Sequence, residues 1–238
     1  MQPTPSPSLS TRRQVLSSGF TAALASCVAL GVLGGGRAFA SDPTVAASGR
    51  VSLVGDSLTM GTLPFQEDAF ANAGWARSTI DAHGSRGVRT KVRSDHHTGL
   101  TAVDGIRRAV GDSEVWVIAL GSNDAGIYSK DKQPDLIRMM MDKIGTGHAV
   151  MWVNIYLPRT PPRQQFWNSA LDLVAAERSD EMFVYDWASM AEQEDRWLAH
   201  DKVHYSRIGY KYRSTAIALA SRGLLPTGID ARRVGPRR

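Results

Sequence analysis

Residues 51–61 read VSLVGDSLTMG. Val51–Val54 is a short apolar, β-branched run, the composition of a strand buried on both faces. It breaks at Gly55-Asp56-Ser57, where two local chemistries compete. In one, the glycine bends the chain and Asp or Ser caps a following helix. In the other, Ser57 is a nucleophile lifted off a strand tip and waiting for a base.

Four further β-type runs follow at Ser78–Asp81, Val115–Leu120, Ala149–Ile155 and Met182–Asp186. Amphipathic helical patterns lie between and after them, at Leu100–Val110, Gln133–Lys143, Gln164–Glu177 and Ile208–Ser221. Strands alternating with helices imply right-handed crossovers and a parallel sheet covered on both faces. The fold class is therefore α/β: a three-layer α/β/α sandwich around a central, mainly parallel five-stranded sheet, spanning residues 50–224. Open parallel sheets bind ligands beyond the carboxyl ends of their strands. Here those ends are followed by Gly55-Asp56-Ser57, by Ala82–Gly87, by Gly121-Ser122-Asn123-Asp124 and by Tyr156–Pro158.

A serine hydroxyl becomes a nucleophile when a neighbouring imidazole takes its proton. That imidazole needs an acceptor for its other N–H, which fixes the tautomer and stabilises the cation. Asp201 and His204 have a spacing that can bring both side chains to one side of a turn, and Ser…Asp…His is a known triad order. An oxyanion formed at Ser57 needs preorganised donors. The candidates are the Ser57 N–H, a backbone N–H within 84–87, and the Asn123 side-chain amide.

Three ordered blocks together resemble the SGNH hydrolases, also called GDSL-type esterases. Gly55-Asp56-Ser57-Leu58-Thr59 is similar to the nucleophile block, Gly121-Ser122-Asn123-Asp124 to the block with the oxyanion-hole Asn, and Asp201-x-x-His204 to the block with acid and base. The resemblance implies a flavodoxin-like SGNH fold and an acyl-enzyme route with no cofactor and no metal. In it Ser57 is the nucleophile, His204 the base, Asp201 its orienting partner, and Ser57, Ser85 and Asn123 form the oxyanion hole. Two positions depart from the pattern. In IDAHGSRGV, Ser85 falls where the family has glycine, with Gly84 and Gly87 as competitors; Lys202 follows Asp201 where glycine is usual, and its side chain would line the cleft. The stretch VYDWASMAEQEDRWLAHDKVHYSRIGY is also similar to the SGNH domains of polysaccharide and peptidoglycan O-acyltransferases. This points to small acyl esters, acetyl first, on carbohydrate or cell-envelope glycans. An O-acyltransferase, a lipase-like esterase and a silent glycan-binding module are the alternatives.

Residues 1–40 contain no Asp or Glu; they pair Arg12 with Arg13, continue through a weakly apolar run and end at Ala38-Phe39-Ala40. That order reads as a twin-arginine export signal, recognised by the Tat machinery and cut after Ala40, with 41–49 as a linker. The alternative is a membrane anchor through an uncleaved N-terminus or one lipidated at Cys27, the chain's single cysteine. The cut form would have no thiol chemistry and is expected to carry no membrane span.

Of the formal charge of +5, Arg12, Arg13 and Arg37 belong to the signal, which leaves +2, and four more arginines crowd the tail at 225–238. The remaining domain is near neutral, so electrostatics give no case for nucleic-acid binding. Asp95-His96-His97 with His83 lacks a compact metal-ligand spacing. Asp56 and Asp124 read as turn-holding carboxylates, Trp152, Trp167, Trp187 and Tyr205 as packing, and Trp197 as a cleft wall. Arg86 is either an anion binder or a solvated loop arginine. Segments 60–75, 84–100 and 124–135 read as the loops that set pocket depth.

Overall fold

The computed structural model describes residues 47–90 and 97–225. Residues 1–40, read above as an export signal, most of 41–49, Asp95-His96 and almost all of the basic tail lie outside the described residues. Five strands form one sheet: β1 (Ser48–Gly55), β2 (Trp75–Ala82), β3 (Val115–Ala119), β4 (Ala149–Val153) and β5 (Met182–Tyr185). All pairings are parallel and the order is β2-β1-β3-β4-β5. This is the doubly wound order in which the chain switches direction between β1 and β3, opening a crevice at their carboxyl ends. Gly55 is in register with Ala82 on one side and Ala119 on the other. The segments leaving β1, β2 and β3 therefore emerge side by side.

Among the described residues seven α-helices cover this sheet: α1 (Ser57–Met60), α2 (Leu63–Asn72), α3 (Gly99–Val110), α4 (Gln133–Ile144), α5 (Pro161–Glu177), α6 (Trp187–Glu192) and α7 (Arg207–Arg222). Strand side chains alternate between two cores, as the pleat requires. Val54, Trp116, Ile118, Val150 and Trp152 pack against α3, α4 and α5 through residues such as Ile106, Ile137 and Leu171. Val51, Leu53, Val115, Val117 and Val153 pack on the other face against Phe70, Ala191 and Ile217, from α2, α6 and α7. The three expected layers are present.

Two helices were not legible as such. Leu63–Asn72 lies within the stretch read as a pocket loop, yet it forms α2, with Pro64 in its first turn. It buries only Gln66 and Phe70. Gln66 Nε2 donates to the Ser214 carbonyl of α7 at 3.3 Å. The short α6 is capped by Asp186, which accepts from the Ser189 N–H. At the far end of the sheet, Arg222 of α7 donates to the carbonyl and hydroxyl oxygens of Ser48, at 3.3 and 3.0 Å.

Candidate active site

At the tip of β1, Gly55 is required by a close approach: an added Cβ would stand 1.9 Å from Thr59 Oγ1. Asp56 then caps α1, its Oδ1 accepting the Leu58 N–H at 2.9 Å. Its other oxygen accepts a short bond from the Ser122 hydroxyl and a longer one from Asn123 Nδ2, at 3.4 Å. Asp56 is thus a structural carboxylate, tying the β1 tip to the β3 tip. Burial pushes its pKa up, and the Ser122 bond, the charge of Arg213 and the Leu58 N–H oppose that rise. Ser57, the first residue of α1, is half-buried in the crevice mouth.

The imidazole arrives from a different part of the chain. His204 Nδ1 donates to Asp201 Oδ2 at 2.7 Å, which leaves Nε2 to accept from the Ser57 hydroxyl at 3.1 Å. Asp201 Oδ1 accepts the N–H groups of Val203 and His204, both at 2.9 Å, closing an Asx-type turn. The His204 bond, helped by those two N–H groups, holds the Asp201 carboxyl well below the usual carboxylate range. The spacing argument placed Asp201 and His204 together; a turn does this, with Lys202 in the left-handed region at φ 57°. The turn is anchored on both sides. The Ala199 N–H donates to the His204 carbonyl at 2.8 Å, and the buried Tyr205 hydroxyl accepts from Trp187 Nε1 at 2.6 Å. His200 is exposed and makes no bond to Ser57.

The donor side is built from the turns after β2 and β3. Ser85 is exposed and has φ 58°, the backbone that favours glycine. The N–H groups of Ser57 and Ser85 have no acceptor among the described residues. Gly87 has a separate purpose, since an added Cβ would lie 2.3 Å from Asp124 Oδ1. Asp124 takes the Val88 N–H on both oxygens, at 3.1 and 3.0 Å, and the Thr90 hydroxyl at 3.1 Å. It staples the two turns together, and burial pushes its pKa up to about 6. Asn123 Nδ2 donates to the Arg86 carbonyl at 2.9 Å, which fixes the amide beside the 84–87 turn.

Arg86 is neither of the things its sequence context offered. It is 1 % exposed and clamps the strand tips, donating to the Asp81 carbonyl and Oδ1, both at 2.7 Å, and to the Gly55 carbonyl at 3.3 Å. Trp197 is likewise no cleft wall. It is buried and stacks between Trp187 and Tyr212, with ring centroids 5.5 and 5.0 Å away. Trp152, Trp167, Trp187 and Tyr205 are buried packing residues. His83 stacks on His97 at 5.2 Å, and no group of three ligating side chains that could hold a metal occurs among the described residues.

Two participants escaped the sequence. Ser122 sat inside a block read for its neighbour Asn123. Arg213 is buried in α7 with its guanidinium over the Trp187 and Tyr205 rings, at 5.8 and 6.0 Å. A helical arginine ordinarily reads as solvent-facing, and only the aromatic pocket around it says otherwise.

No protein-family model and no curated protein matches the chain. Solved structures do. The C-terminal catalytic domain of the peptidoglycan O-acetyltransferase OatA from Streptococcus pneumoniae superposes with a TM-score of 0.54 at 20% identity, covering 74% of this chain and 93% of that one. Est24, a carbohydrate acetylesterase from Sinorhizobium meliloti, gives 0.59 at 16% identity, covering 75% and 100%. A lipolytic G-D-S-L family protein from Veillonella parvula gives 0.56 at 14% identity, covering 72% and 96%. The fold is that of the SGNH hydrolases.

Proposed function

We propose that the protein is a GDSL-type serine esterase that cleaves small acyl esters, acetyl foremost, on carbohydrate or cell-envelope glycans. The observation that carries this reading is the unbroken chain from Ser57 Oγ through His204 to Asp201, together with the Ser57 and Ser85 N–H groups, which have no acceptor among the described residues. Ser57 Oγ attacks the ester carbonyl carbon while its proton passes to His204 Nε2. The carbonyl oxygen gains the electron pair and is received by the N–H groups of Ser57 and Ser85 and by the Asn123 amide. Collapse of this intermediate breaks the bond to the alcohol, whose oxygen takes the proton back from His204. Water, deprotonated in turn by His204, releases the acyl group and restores Ser57. Asp201 remains a carboxylate throughout and holds the imidazole in its working tautomer.

The likeness to the OatA domain supports a second reading, in which a sugar hydroxyl replaces water in the final step. A glycan acceptor that diverts most acyl groups from hydrolysis would favour it. Residues 1–40 support export by the twin-arginine route, so the site would work in the cell envelope or outside the cell. No helix among the described residues is long and apolar enough to cross a membrane.

The test is turnover of a 4-nitrophenyl ester series by the chain from Ser41, beside Ser57→Ala and His204→Ala. A loss of at least about 10³-fold in both variants is expected. Absence of turnover, together with no labelling of Ser57 by an organophosphonate, would leave the binding-module reading.

A further inference from the structure

A cleft of about 200 Å³ lies against the triad segment, lined by Ser122, Arg159, Thr160, Arg163, Lys202 and Val203 and by the buried Leu157. Ser122 precedes Asn123, and Lys202 and Val203 are the two residues between Asp201 and His204. The cleft is therefore lined in part by the direct chain neighbours of Asn123, Asp201 and His204.

Its charge is one-sided. Arg159 and Arg163 are exposed, and neither guanidinium has a carboxylate or other hydrogen-bonding partner among the described residues. The Arg163 guanidinium reaches back toward the turn that carries Asn123, since a Cβ added at Gly126 would lie 3.0 Å from its Nη1. The first turn of α5 holds no acidic residue. Thr160, a lining residue, makes no side-chain capping bond. Lys202 is differently placed: Asp195 holds its ammonium at 2.5 Å, which neutralises it and fixes its stem as part of the wall. The uncompensated charge is thus carried by the two guanidinium groups, whose forked donors match carboxylate and phosphate oxygens.

We infer that this cleft is an anion subsite, and that the favoured substrate carries a carboxylate or phosphate on the alcohol portion of its ester. The inference rests on the esterase reading for its chemistry. The leaving oxygen must receive its proton from His204, so the alcohol portion lies on the His204 side, where Val203 and Lys202 open into the cleft. An acidic sugar bound there would set its acyl carbonyl toward Ser57 while Arg159 and Arg163 hold its anionic group. Arg86, the arginine that the sequence offered for this role, is spent on the strand tips.

The experiment compares three acetyl esters that differ in one group: acetylated glucuronate, acetylated glucose 6-phosphate, and acetylated glucuronamide as the uncharged reference. Wild type should turn over at least one anionic ester with a kcat/KM about tenfold or more above that of the amide. The preferred ester identifies the anion as carboxylate or phosphate. The ratio should fall to within about twofold in Arg159→Gln/Arg163→Gln, and should shrink in wild type as salt is raised. Equal kcat/KM for all three esters, or a preference that survives the double substitution, would overturn the subsite. Calorimetric titration of Ser57→Ala with glucuronate and glucose 6-phosphate separates this outcome from failure of the esterase reading. Binding that weakens about tenfold or more on adding the two arginine substitutions supports the subsite even if no ester is turned over. No binding of either anion overturns it even if 4-nitrophenyl acetate is hydrolysed.

Discussion

Ser85 and Lys202 share a backbone conformation. Their φ values of 58° and 57° put both in the left-handed region, and among the described residues no other non-glycine residue has a positive φ. They are also the two positions at which the SGNH resemblance calls for glycine. A left-handed backbone costs an L-residue about 1–2 kcal/mol. Glycine escapes this but loses about 0.5–1 kcal/mol more to chain entropy. Ser85→Gly should therefore stabilise the fold by about 0.5–1 kcal/mol, seen as a higher urea midpoint at unchanged slope. Lys202→Gly should gain less, because the exposed ion pair with Asp195 goes with it. A lower midpoint for Ser85→Gly would show that the turn is unstrained.

Asp124 makes the fold sensitive to pH in an unusual direction. Its carboxyl is pushed from 3.8 to about 6, so between those values the native state binds more protons than the unfolded chain. Stability from this group is then greatest below its ordinary pKa and is lost as pH rises through the raised one. Asp56, also raised, acts in the same sense. Relative to Asp124→Asn, wild type should lose on the order of 2 kcal/mol between pH 4 and pH 6.5. Denaturant midpoints of the pair at both pH values check the sign.

Asp201→Asn tests the tautomer. The side-chain oxygen can still accept the Val203 and His204 N–H groups, so the turn should survive. The new amide would face His204 Nδ1 with a donor, which forces the ring proton onto Nε2 and leaves Ser57 without an acceptor. We expect kcat to fall about 10³–10⁴-fold with little change in KM. A fall below tenfold would show that Asp201 is not needed to orient the imidazole.

Arg86→Ala distinguishes a clamp from a binder. Removing the guanidinium takes its donors from the Asp81 carbonyl and carboxylate and leaves the Gly55 carbonyl with the His83 N–H alone. Because the Asp81 carboxylate is partly exposed, the cost should be about 1–3 kcal/mol, read as a drop in thermal midpoint. A stable variant whose only defect is a raised KM for anionic esters would return Arg86 to the substrate site.

The parts of the molecule legible in the sequence were those with local signatures. Val115–Leu120 announces a strand buried on both sides, and Asp201 with His204 announces a turn that pairs them. The parts that were not legible depend on distant partners. α2 buries only Gln66 and Phe70, so it presents no apolar stripe to read. Trp197 is core only because Trp187 and Tyr212 close over it, and Arg86 is buried only because the 83–88 turn folds its side chain under Gly55. Lys202 reads as a departure until its φ is known, and then as a strained substitute.

The Arg222–Ser48 contact fixes where the domain can be held. Ser48 opens β1 and Gly55 closes it, so the first and last described elements meet about 23 Å of strand away from the nucleophile. A tether attached at either end would leave the crevice facing outward, toward a glycan mesh rather than toward its support. The same closeness means that a short linker could join residue 225 to residue 48. New ends could then be opened on the surface without disturbing the triad.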